Sequence, residues 1–253
     1  MKVTIVQTDL TWSNPAVNRS HIEQLITSSP SGDLIVLPEM FSTGFATQPE
    51  GIAEENDESL KWMCDMAYKK KAAICGSIAI KDANNLYYNR MYFVRPDGTY
   101  NEYDKRHLFA FGGENVHYQR GNRRVVIEYQ GWHILLQVCY DLRFPVWSRN
   151  ANDYDAILYV ANWPQVRREV WDLLLRARAV ENQCYVVGVN RVGDDATGHY
   201  NGGSQVIDPK GKIAGICNDD SEQMMTIDLS LEDLINFKKK FNVLEDRDTF
   251  IIN

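Results

Sequence analysis

The sequence contains neither a long apolar run nor a block of basic residues. No stretch approaches the roughly 20 apolar residues of a membrane-spanning helix, and polar side chains interrupt residues 1–9 too early for a secretory signal. Acidic residues outnumber basic ones by 34 to 27, which gives a formal net charge of −7. This balance argues against nucleic acid or an anionic membrane as the main partner. We therefore expect a cytoplasmic protein that binds neither.

Cysteine is scarce, and the local motifs of several enzyme classes are missing. The five cysteines are odd in number and never spaced as a CxxC pair, which disfavours a disulfide framework and a structural zinc site. The sequence has no GxGxxG, GxxxxGKS/T, HExxH or GxSxG motif, so nucleotide-binding, zinc-peptidase and serine-hydrolase sites lack their local geometry. We expect no metal and no cofactor.

The hydrophobic pattern predicts an α/β protein. Apolar runs of strand length alternate with segments of helical period, and turn residues such as Asn14-Pro15 and Gln130-Gly131 separate them. Each half of the chain is predicted to form a mixed sheet with two helices on one face. Packing the two free faces together gives a four-layer αββα sandwich, built as one domain over residues 1–253. The strand at 224–227 is assigned to the second half, and a short helix is predicted over residues 146–152.

Three residues that can carry chemistry follow predicted strands. Open α/β sheets bind ligands beyond the carboxyl ends of their strands, where a rigid support orients a side chain. Glu39, Lys105 and Cys139 occupy such positions. This placement predicts that they share a site.

The three groups fit one reaction. A thiol with an ordinary pKa of about 8.5 is mostly protonated at pH 7, so Cys139 needs a base, which Glu39 would supply. Attack on an amide carbon creates an oxyanion, which the ammonium of Lys105 and the backbone N–H of Tyr140 would stabilise. Protonated Glu39 would then give its proton to the departing ammonia and activate the water that hydrolyses the thioester.

Each residue also has a structural alternative. A single cysteine at the end of an apolar strand is commonly a core residue. Glu39 could serve as a turn carboxylate or as the partner of an arginine, and the charged run around Lys105 is typical of a solvated surface. A cysteine–histidine dyad with His107 or His117 is a further alternative.

The sequences around the three residues resemble the nitrilase superfamily of carbon–nitrogen hydrolases. The segments LPEMF at 37–41, YDKRHL at 103–108 and VCYDLRFP at 138–145 occur in the order in which that superfamily presents its glutamate, lysine and cysteine. The segment RAVENQ at 178–183 is similar to the RAxEN segment of the family. Within the superfamily, the chain is most similar to the bacterial omega-amidases, which hydrolyse 2-oxoglutaramate.

This resemblance implies an αββα sandwich that dimerises through the helices flanking its sheets, and a thioester mechanism without a cofactor. Matched by position, Glu39 is the general base and acid, Lys105 the oxyanion stabiliser and Cys139 the nucleophile. Family members commonly have a second glutamate between the lysine and the cysteine, and Glu114 is its counterpart here, with the role of positioning Lys105. The alternative is that Glu114 is a loop carboxylate with no special role.

Substrate recognition is less determined by the sequence. An omega-amide of a 2-oxo acid carries a distant carboxylate, for which arginine is the natural bidentate partner. Arg143 would reach that group, or would instead pair with a protein carboxylate and brace the turn of the nucleophile. Tyr118 and Trp163 lie in predicted loops, where they either line the pocket or pack in the core. Arg167-Arg168 is predicted to be a solvated start of a helix.

The resulting hypothesis is an amidase that cleaves the terminal carboxamide of 2-oxoglutaramate or 2-oxosuccinamate and releases ammonia. Other substrates of the same chemistry are deaminated glutathione, an N-carbamoyl amino acid or a nitrile. An alternative of another class is a catalytically silent binding protein on this fold, which the intact set of glutamate, lysine and cysteine disfavours. The predicted partners are a small-molecule amide and a second copy of the chain.

Overall fold

The structure, a computed structural model, describes residues 1–28, 30 and 32–252. Within them the strands are β1 (Lys2–Gln7), β2 (Leu34–Val36), β3 (Ala73–Lys81), β4 (Tyr87–Val94), β5 (Tyr100–Asp104), β6 (Val126–Tyr129), β7 (Trp132–Val138), β8 (Ala156–Ala161), β9 (Tyr185–Asn190), β10 (Val192–Asp195), β11 (Gly198–Asn201), β12 (Gln205–Ile207), β13 (Ile213–Ile216) and β14 (Gln223–Asp228). The helices are α1 (Pro15–Ser28), α2 (Glu58–Lys70), α3 (Glu114–His117), α4 (Pro145–Ser148), α5 (Arg168–Asn182) and α6 (Leu231–Lys240). None of these helices is both long enough and apolar enough to span a bilayer.

Two six-stranded sheets form the centre of the molecule. Their strand orders are β14-β1-β2-β3-β4-β5 and β13-β12-β9-β8-β7-β6. Both sheets are mixed, because β1, β2 and β3 run parallel in the first, β7, β8 and β9 run parallel in the second, and the flanking strands are antiparallel. The predicted pair of mixed sheets is confirmed.

The burial pattern shows how the layers stack. Along β1, Val3 and Ile5 belong to a core cluster shared with the second sheet, whereas Val6 packs in a separate cluster with α1 and α2. Because successive side chains of a strand point to opposite faces, one face of the first sheet contacts the second sheet and the other contacts helices. The buried residues of α5, including Trp171 and Leu175, cover the second sheet. The predicted αββα sandwich is confirmed.

Local sequence signals account for several element ends. The Asn14 side chain accepts a hydrogen bond of 3.3 Å from the backbone N–H of Val17, and Pro15 occupies the first turn of α1, as capping rules predict. Between β6 and β7, Gln130 and Gly131 both have positive φ, 50° and 78°. Two successive left-handed residues define the tight turn that matches strand twist in a hairpin.

The structure differs from the sequence prediction at the last strand and at α4. β14 does not join the sheet of the second half but pairs antiparallel with β1 across the register Lys2 to Asp228, so the final strand closes the first sheet. The helix predicted over 146–152 ends at Ser148, because the backbone N–H of Asn150 donates instead to the side chain of Asn182 on α5, at 2.9 Å.

The hairpin β10–β11 and the helix α6 have no counterpart in the sequence prediction. The hairpin β10–β11 pairs with itself outside the two large sheets. Helix α6 follows β14 and is capped by Ser230, whose hydroxyl accepts from the N–H of Asp233 at 3.1 Å. A serine followed three residues later by an acidic residue is a helix-start signal, so α6 was readable from the sequence.

Candidate active site

The carboxyl ends of strands from both sheets bring the predicted residues together. β5 is antiparallel to β4, and β4 is antiparallel to β3, so β5 runs in the same direction as β2 and both end at one edge of the first sheet. Glu39 follows β2, Lys105 follows β5, and Cys139 follows β7 of the second sheet. The site therefore lies where the edges of the two sheets meet.

Lys105 is the centre of a buried charge network. Its Nζ atom donates to Glu39 Oε1 at 2.8 Å and to Glu114 Oε1 and Oε2 at 3.1 and 2.9 Å. All three side chains are fully buried. This burial rules out the solvated surface that the charged run around Lys105 otherwise indicated, and it places Glu114 in the network rather than in an uninvolved loop.

The pKa directions follow from this geometry. Burial alone would lower the pKa of Lys105, but the carboxylates of Glu114 and Glu39 outweigh it and raise that pKa well above its ordinary value. Burial raises the pKa of Glu114, Lys105 opposes the rise and Glu39 adds to it. Lys105 is thus a permanent cation at this position, and an ammonium has three donors. The structure gives Lys105 three contacts with the two carboxylates, one to Glu39 and two to Glu114.

Two asparagines complete the network. Asn89 Nδ2 donates to Glu39 Oε1 at 2.8 Å and to Glu114 Oε1 at 3.1 Å. The backbone N–H of Asn162 donates to Glu39 Oε2 at 2.8 Å, and Asn162 Nδ2 donates to the Glu39 carbonyl at 2.7 Å. Sequence reasoning missed both residues. Asn162 directly follows β8, so the strand-end rule could have found it, whereas Asn89 lies inside β4 and carries no such signal.

Cys139 lies on a strained turn beside this network. It has a positive φ of 45°, which costs energy for a residue with a side chain and is commonly found at functional sites. The residue is 8% exposed. Burial and the negative charge of Glu39 raise the pKa of the Cys139 thiol well above its ordinary value, against an opposing effect of Lys105. The thiol is therefore protonated at neutral pH, and its activation depends on a base.

Asp141 organises the turn that follows the thiol. This turn, Cys139–Arg143, is a single stretch of 3-10 helix. Asp141 Oδ2 accepts from the Val138 N–H at 3.0 Å and from the Tyr103 hydroxyl at 2.7 Å. Asp141 Oδ1 lies 2.8 Å from His107 Nδ1 and accepts from the His107 N–H at 2.9 Å. Asp141 was not singled out from the sequence, although it follows the predicted nucleophile by two residues.

The two histidines considered as partners of the thiol have other partners. His107 contacts Asp141, and its ring stacks on Phe144 with centroids 3.8 Å apart. His117 Nδ1 lies 2.9 Å from Glu50 Oε1. Of the acidic groups that raise the pKa of the thiol, Glu39 has a larger effect than Glu114. The structure therefore does not form the cysteine–histidine dyad.

A cavity of about 210 Å³ opens beside Cys139. Of the residues predicted to contact substrate, Tyr140, Arg143 and Trp163 line it. The Arg143 guanidinium lies 5.2 Å from the centroid of the Trp163 ring and forms no ion pair with any residue that the structure describes. The alternative in which Arg143 pairs with a protein carboxylate is therefore not realised.

Two expectations about this cavity are corrected. Tyr118 is not in the cavity wall; its hydroxyl donates to the Ala46 carbonyl at 2.6 Å and its ring packs in a cluster with Phe45, so it supports the wall from behind. Arg167 is not a solvated helix start, because it lines the cavity with its guanidinium 5.3 Å from the Phe109 ring centroid. Arg168 is paired with Asp172 and Asp219.

The chemistry of the described residues centres on a thiol, two carboxylates and an ammonium. Within residues 1–28, 30 and 32–252, no three histidine, cysteine, aspartate or glutamate side chains are grouped so that they could hold a metal ion. The five cysteines have free thiols. The arrangement can deliver a nucleophile, a proton acceptor and a fixed positive charge to one atom in the cavity.

Comparisons with known proteins found a matching family model, similar sequences and a similar structure. A model of the carbon-nitrogen hydrolase family matches residues 2–239. The chain is 46% identical to omega-amidase YafV of Yersinia enterocolitica over 100% of this chain and 98% of that protein. It is 32% identical to the 2-oxoglutaramate amidase of Bacillus subtilis, over 97% and 98% of the two chains. Its structure resembles that of XC1258 from Xanthomonas campestris, a CN-hydrolase superfamily protein with an arsenic adduct in its active site, with a TM-score of 0.96, 39% identity and coverage of 100% and 99%.

Proposed function

The chain belongs to the carbon-nitrogen hydrolase family, and we propose that it is an omega-amidase that hydrolyses the terminal carboxamide of 2-oxoglutaramate or 2-oxosuccinamate to the acid and ammonia. One observation carries the proposal. Cys139 lies between the buried Glu39–Lys105–Glu114 network and a cavity with two guanidinium groups that form no ion pair with any described residue. The names and near-complete alignment of the amidase relatives support the same substrate class.

The first half of the reaction would form a thioester. Glu39 accepts the proton of the Cys139 thiol as sulfur attacks the amide carbon, and the carbonyl oxygen becomes an oxyanion. The ammonium charge of Lys105 and the backbone N–H of Tyr140 stabilise that charge. When the tetrahedral intermediate collapses, the carbon–nitrogen bond breaks and Glu39 returns its proton to the leaving nitrogen, which departs as ammonia.

The second half would hydrolyse the thioester. Glu39, again ionised, accepts a proton from water, and the hydroxyl attacks the thioester carbon. A second oxyanion forms at the same donors. Its collapse breaks the carbon–sulfur bond and returns the proton to the Cys139 sulfur, which restores the enzyme. The raised pKa of the Cys139 thiol supports this scheme, because a protonated thiol needs the carboxylate as its base.

Glu114 and Asn89 would act by positioning. Glu114 fixes Lys105 through two contacts, and its own Oε2 is held by the Phe109 N–H at 2.6 Å. Asn89 donates to both carboxylates and so fixes the distance between Glu39 and Glu114. We assign neither residue to a covalent step. In the cavity, two parallel N–H donors of the Arg143 guanidinium would bind the substrate carboxylate, and the Trp163 ring would hold that guanidinium in place.

Ammonia release from a panel of amides tests the proposed activity. The panel contains 2-oxoglutaramate, 2-oxosuccinamate, glutamine, carbamoyl-β-alanine and a simple nitrile. We expect the two oxo-amides to have the highest kcat/KM. If neither is turned over, the omega-amidase assignment is wrong.

Mass spectrometry after a substrate quench tests the thioester. The parent protein is expected to show an acyl adduct on Cys139, and Cys139→Ala is expected to show neither adduct nor turnover. An Ala variant with full activity, together with a parent that carries no adduct, would show that this thiol is not the nucleophile.

We also propose a cytoplasmic homodimer. Leu173 and Val180 of α5 are seven residues apart, so they lie on one face of the helix, and they are 68% and 51% exposed. Val146 of α4 is also exposed. A second copy would cover these apolar groups, and the free thiols support a reducing compartment. Sedimentation should give a dimer that Leu173→Glu converts to a monomer; a monomeric parent at micromolar concentration would contradict the dimer.

A further inference from the structure

Arg167 is a cavity residue that the mechanism above does not use. Its guanidinium lies over Phe109, and its backbone carbonyl accepts a hydrogen bond of 2.7 Å from Trp163 Nε1. Its side chain forms neither an ion pair nor a hydrogen bond with any described residue of the chain. The neighbouring Arg168, by contrast, binds the carboxylates of Asp172 and Asp219 at 3.0 and 2.7 Å.

The cavity thus contains two guanidinium groups with no ion-pair or hydrogen-bond partner in the part of the chain that the structure describes. Arg143 comes from the turn that carries Cys139, and Arg167 comes from the connection between β8 and α5. None of the described residues that line the cavity is acidic. In a chain of net charge −7, an internal surface with two cations and no carboxylate favours an anionic ligand.

An aromatic ring packs against each guanidinium group, and the N–H donors at the edge of the guanidinium plane stay available for a ligand. Each has an aromatic ring of the cavity wall within 5.3 Å of its central carbon, Trp163 for Arg143 and Phe109 for Arg167. Such contacts fix the group and leave its N–H donors available. Phe109 is itself tied to the catalytic network, since its N–H donates to Glu114. Arg167 therefore has a fixed platform beside the site of attack.

We propose that Arg167 determines specificity by binding the 2-oxo oxygen of the substrate, next to the carboxylate bound by Arg143. This inference rests on the proposed function. The carboxylate and the 2-oxo group of such an amide present three neighbouring oxygen acceptors, which is one more than a single fork of N–H donors engages. Glutamine carries an ammonium in place of the 2-oxo oxygen. A guanidinium at that point attracts the carbonyl and repels the ammonium, so one residue both favours the oxo-amide and rejects the amino acid.

Steady-state kinetics with three amides tests the role. The substrates are 2-oxoglutaramate, glutamine and glutaramate, which has neither the oxo nor the amino group. Arg167→Gln should lower kcat/KM for 2-oxoglutaramate by about 10- to 100-fold, mainly through KM, because a charge-assisted hydrogen bond is lost. The decrease in kcat/KM for glutaramate should be clearly smaller. The ratio of kcat/KM for 2-oxoglutaramate to that for glutamine should also decrease. Arg167→Lys should have a kcat/KM for 2-oxoglutaramate between those of the parent and of Arg167→Gln. The matched control is Arg123→Gln, whose side chain is 71% exposed and lies outside the cavity.

Equal losses for all three amides would overturn the inference, because a merely structural effect does not distinguish substrates. Measurements of ligand binding distinguish a wrong role for Arg167 from a wrong proposed function, because they do not require turnover. In Cys139→Ala, calorimetry should show tighter binding of 2-oxoglutarate than of glutarate, and adding Arg167→Gln should remove the difference. A difference that persists would overturn the role of Arg167, whether or not the parent hydrolyses the oxo-amides.

Discussion

The hydroxyl of Tyr103 donates a hydrogen bond of 2.7 Å to Asp141 Oδ2. Tyr103 lies two residues before Lys105, and Asp141 lies two residues after Cys139. The bond therefore links the strand end that carries the ammonium to the turn that carries the thiol. Because the two strands belong to different sheets, this contact holds the spacing between two groups whose cooperation the mechanism requires.

Removal of the Asp141 carboxylate should destabilise the protein and reduce its activity. Asp141→Ala leaves the buried N–H of Val138 and the hydroxyl of Tyr103 without their acceptor. We expect a loss of about 3–5 kcal/mol in the free energy of unfolding, from several unsatisfied donors at about 1–3 kcal/mol each. Urea denaturation measures it. Tyr103→Phe should lower the free energy of unfolding by less than Asp141→Ala does. Tyr100 is an exposed tyrosine on the same strand, so Tyr100→Phe should leave the unfolding midpoint unchanged. Equal midpoints for the two tyrosine variants would contradict this role.

Glu39→Gln should impair catalysis more than folding. The amide can still accept from the Asn162 N–H, but it cannot take the proton of the thiol. We expect kcat to fall by about 10²- to 10⁴-fold, the usual contribution of a general base, with a KM close to that of the parent. Ammonia release under saturating substrate measures this. Glu128→Gln, at an exposed position of β6, is the control. A variant whose kcat stays within tenfold of the parent would exclude Glu39 as the base.

Loss of Lys105 should leave two buried carboxylates without a cation. Lys105→Met is expected to lower the free energy of unfolding by about 3–5 kcal/mol, the cost typical of breaking a buried ion pair. The double variant Lys105→Met/Glu114→Gln should recover part of that loss, because one uncompensated charge is removed as well. Chemical denaturation of the two single variants and the double variant gives the coupling. Additive effects would mean that the two side chains do not interact.

The reactivity of Cys139 should rise with pH. Burial and Glu39 raise the pKa of its thiol, and only the thiolate is alkylated rapidly. We expect the rate with iodoacetamide to increase about tenfold per pH unit between about pH 6 and 9. In Glu39→Gln the midpoint should move to lower pH, because a negative charge that disfavours the thiolate is gone. Mass spectrometry of the Cys139 peptide follows the reaction. A rate already constant at pH 6 would indicate a preformed thiolate and contradict the scheme.

Local patterns were sufficient for most elements and for the set of reactive residues. Apolar runs of strand length predicted the two mixed sheets, and Asn14-Pro15 and Gln130-Gly131 marked element boundaries that the structure has. The strand-end rule selected Glu39, Lys105 and Cys139, which do converge. It failed for Asn89, because a polar residue inside a strand looks like an ordinary solvent-facing position. The loop position of Tyr118 left open whether its ring lines the cavity or packs behind the cavity wall, because a loop position does not determine the direction of a side chain.

The sequence by itself determined the α/β class, the four layers and the order in which a carboxylate, an ammonium and a thiol follow their strands, because these depend on period and on neighbours along the chain. Only the tertiary structure decided that β14 closes the first sheet, that Asp141 ties the two sheet edges together, and that Arg167 faces the cavity while Arg168 faces acidic partners. Two adjacent arginines have the same local signature. What separates them is which distant groups the fold brings within a few ångströms, and a linear pattern contains no such distance.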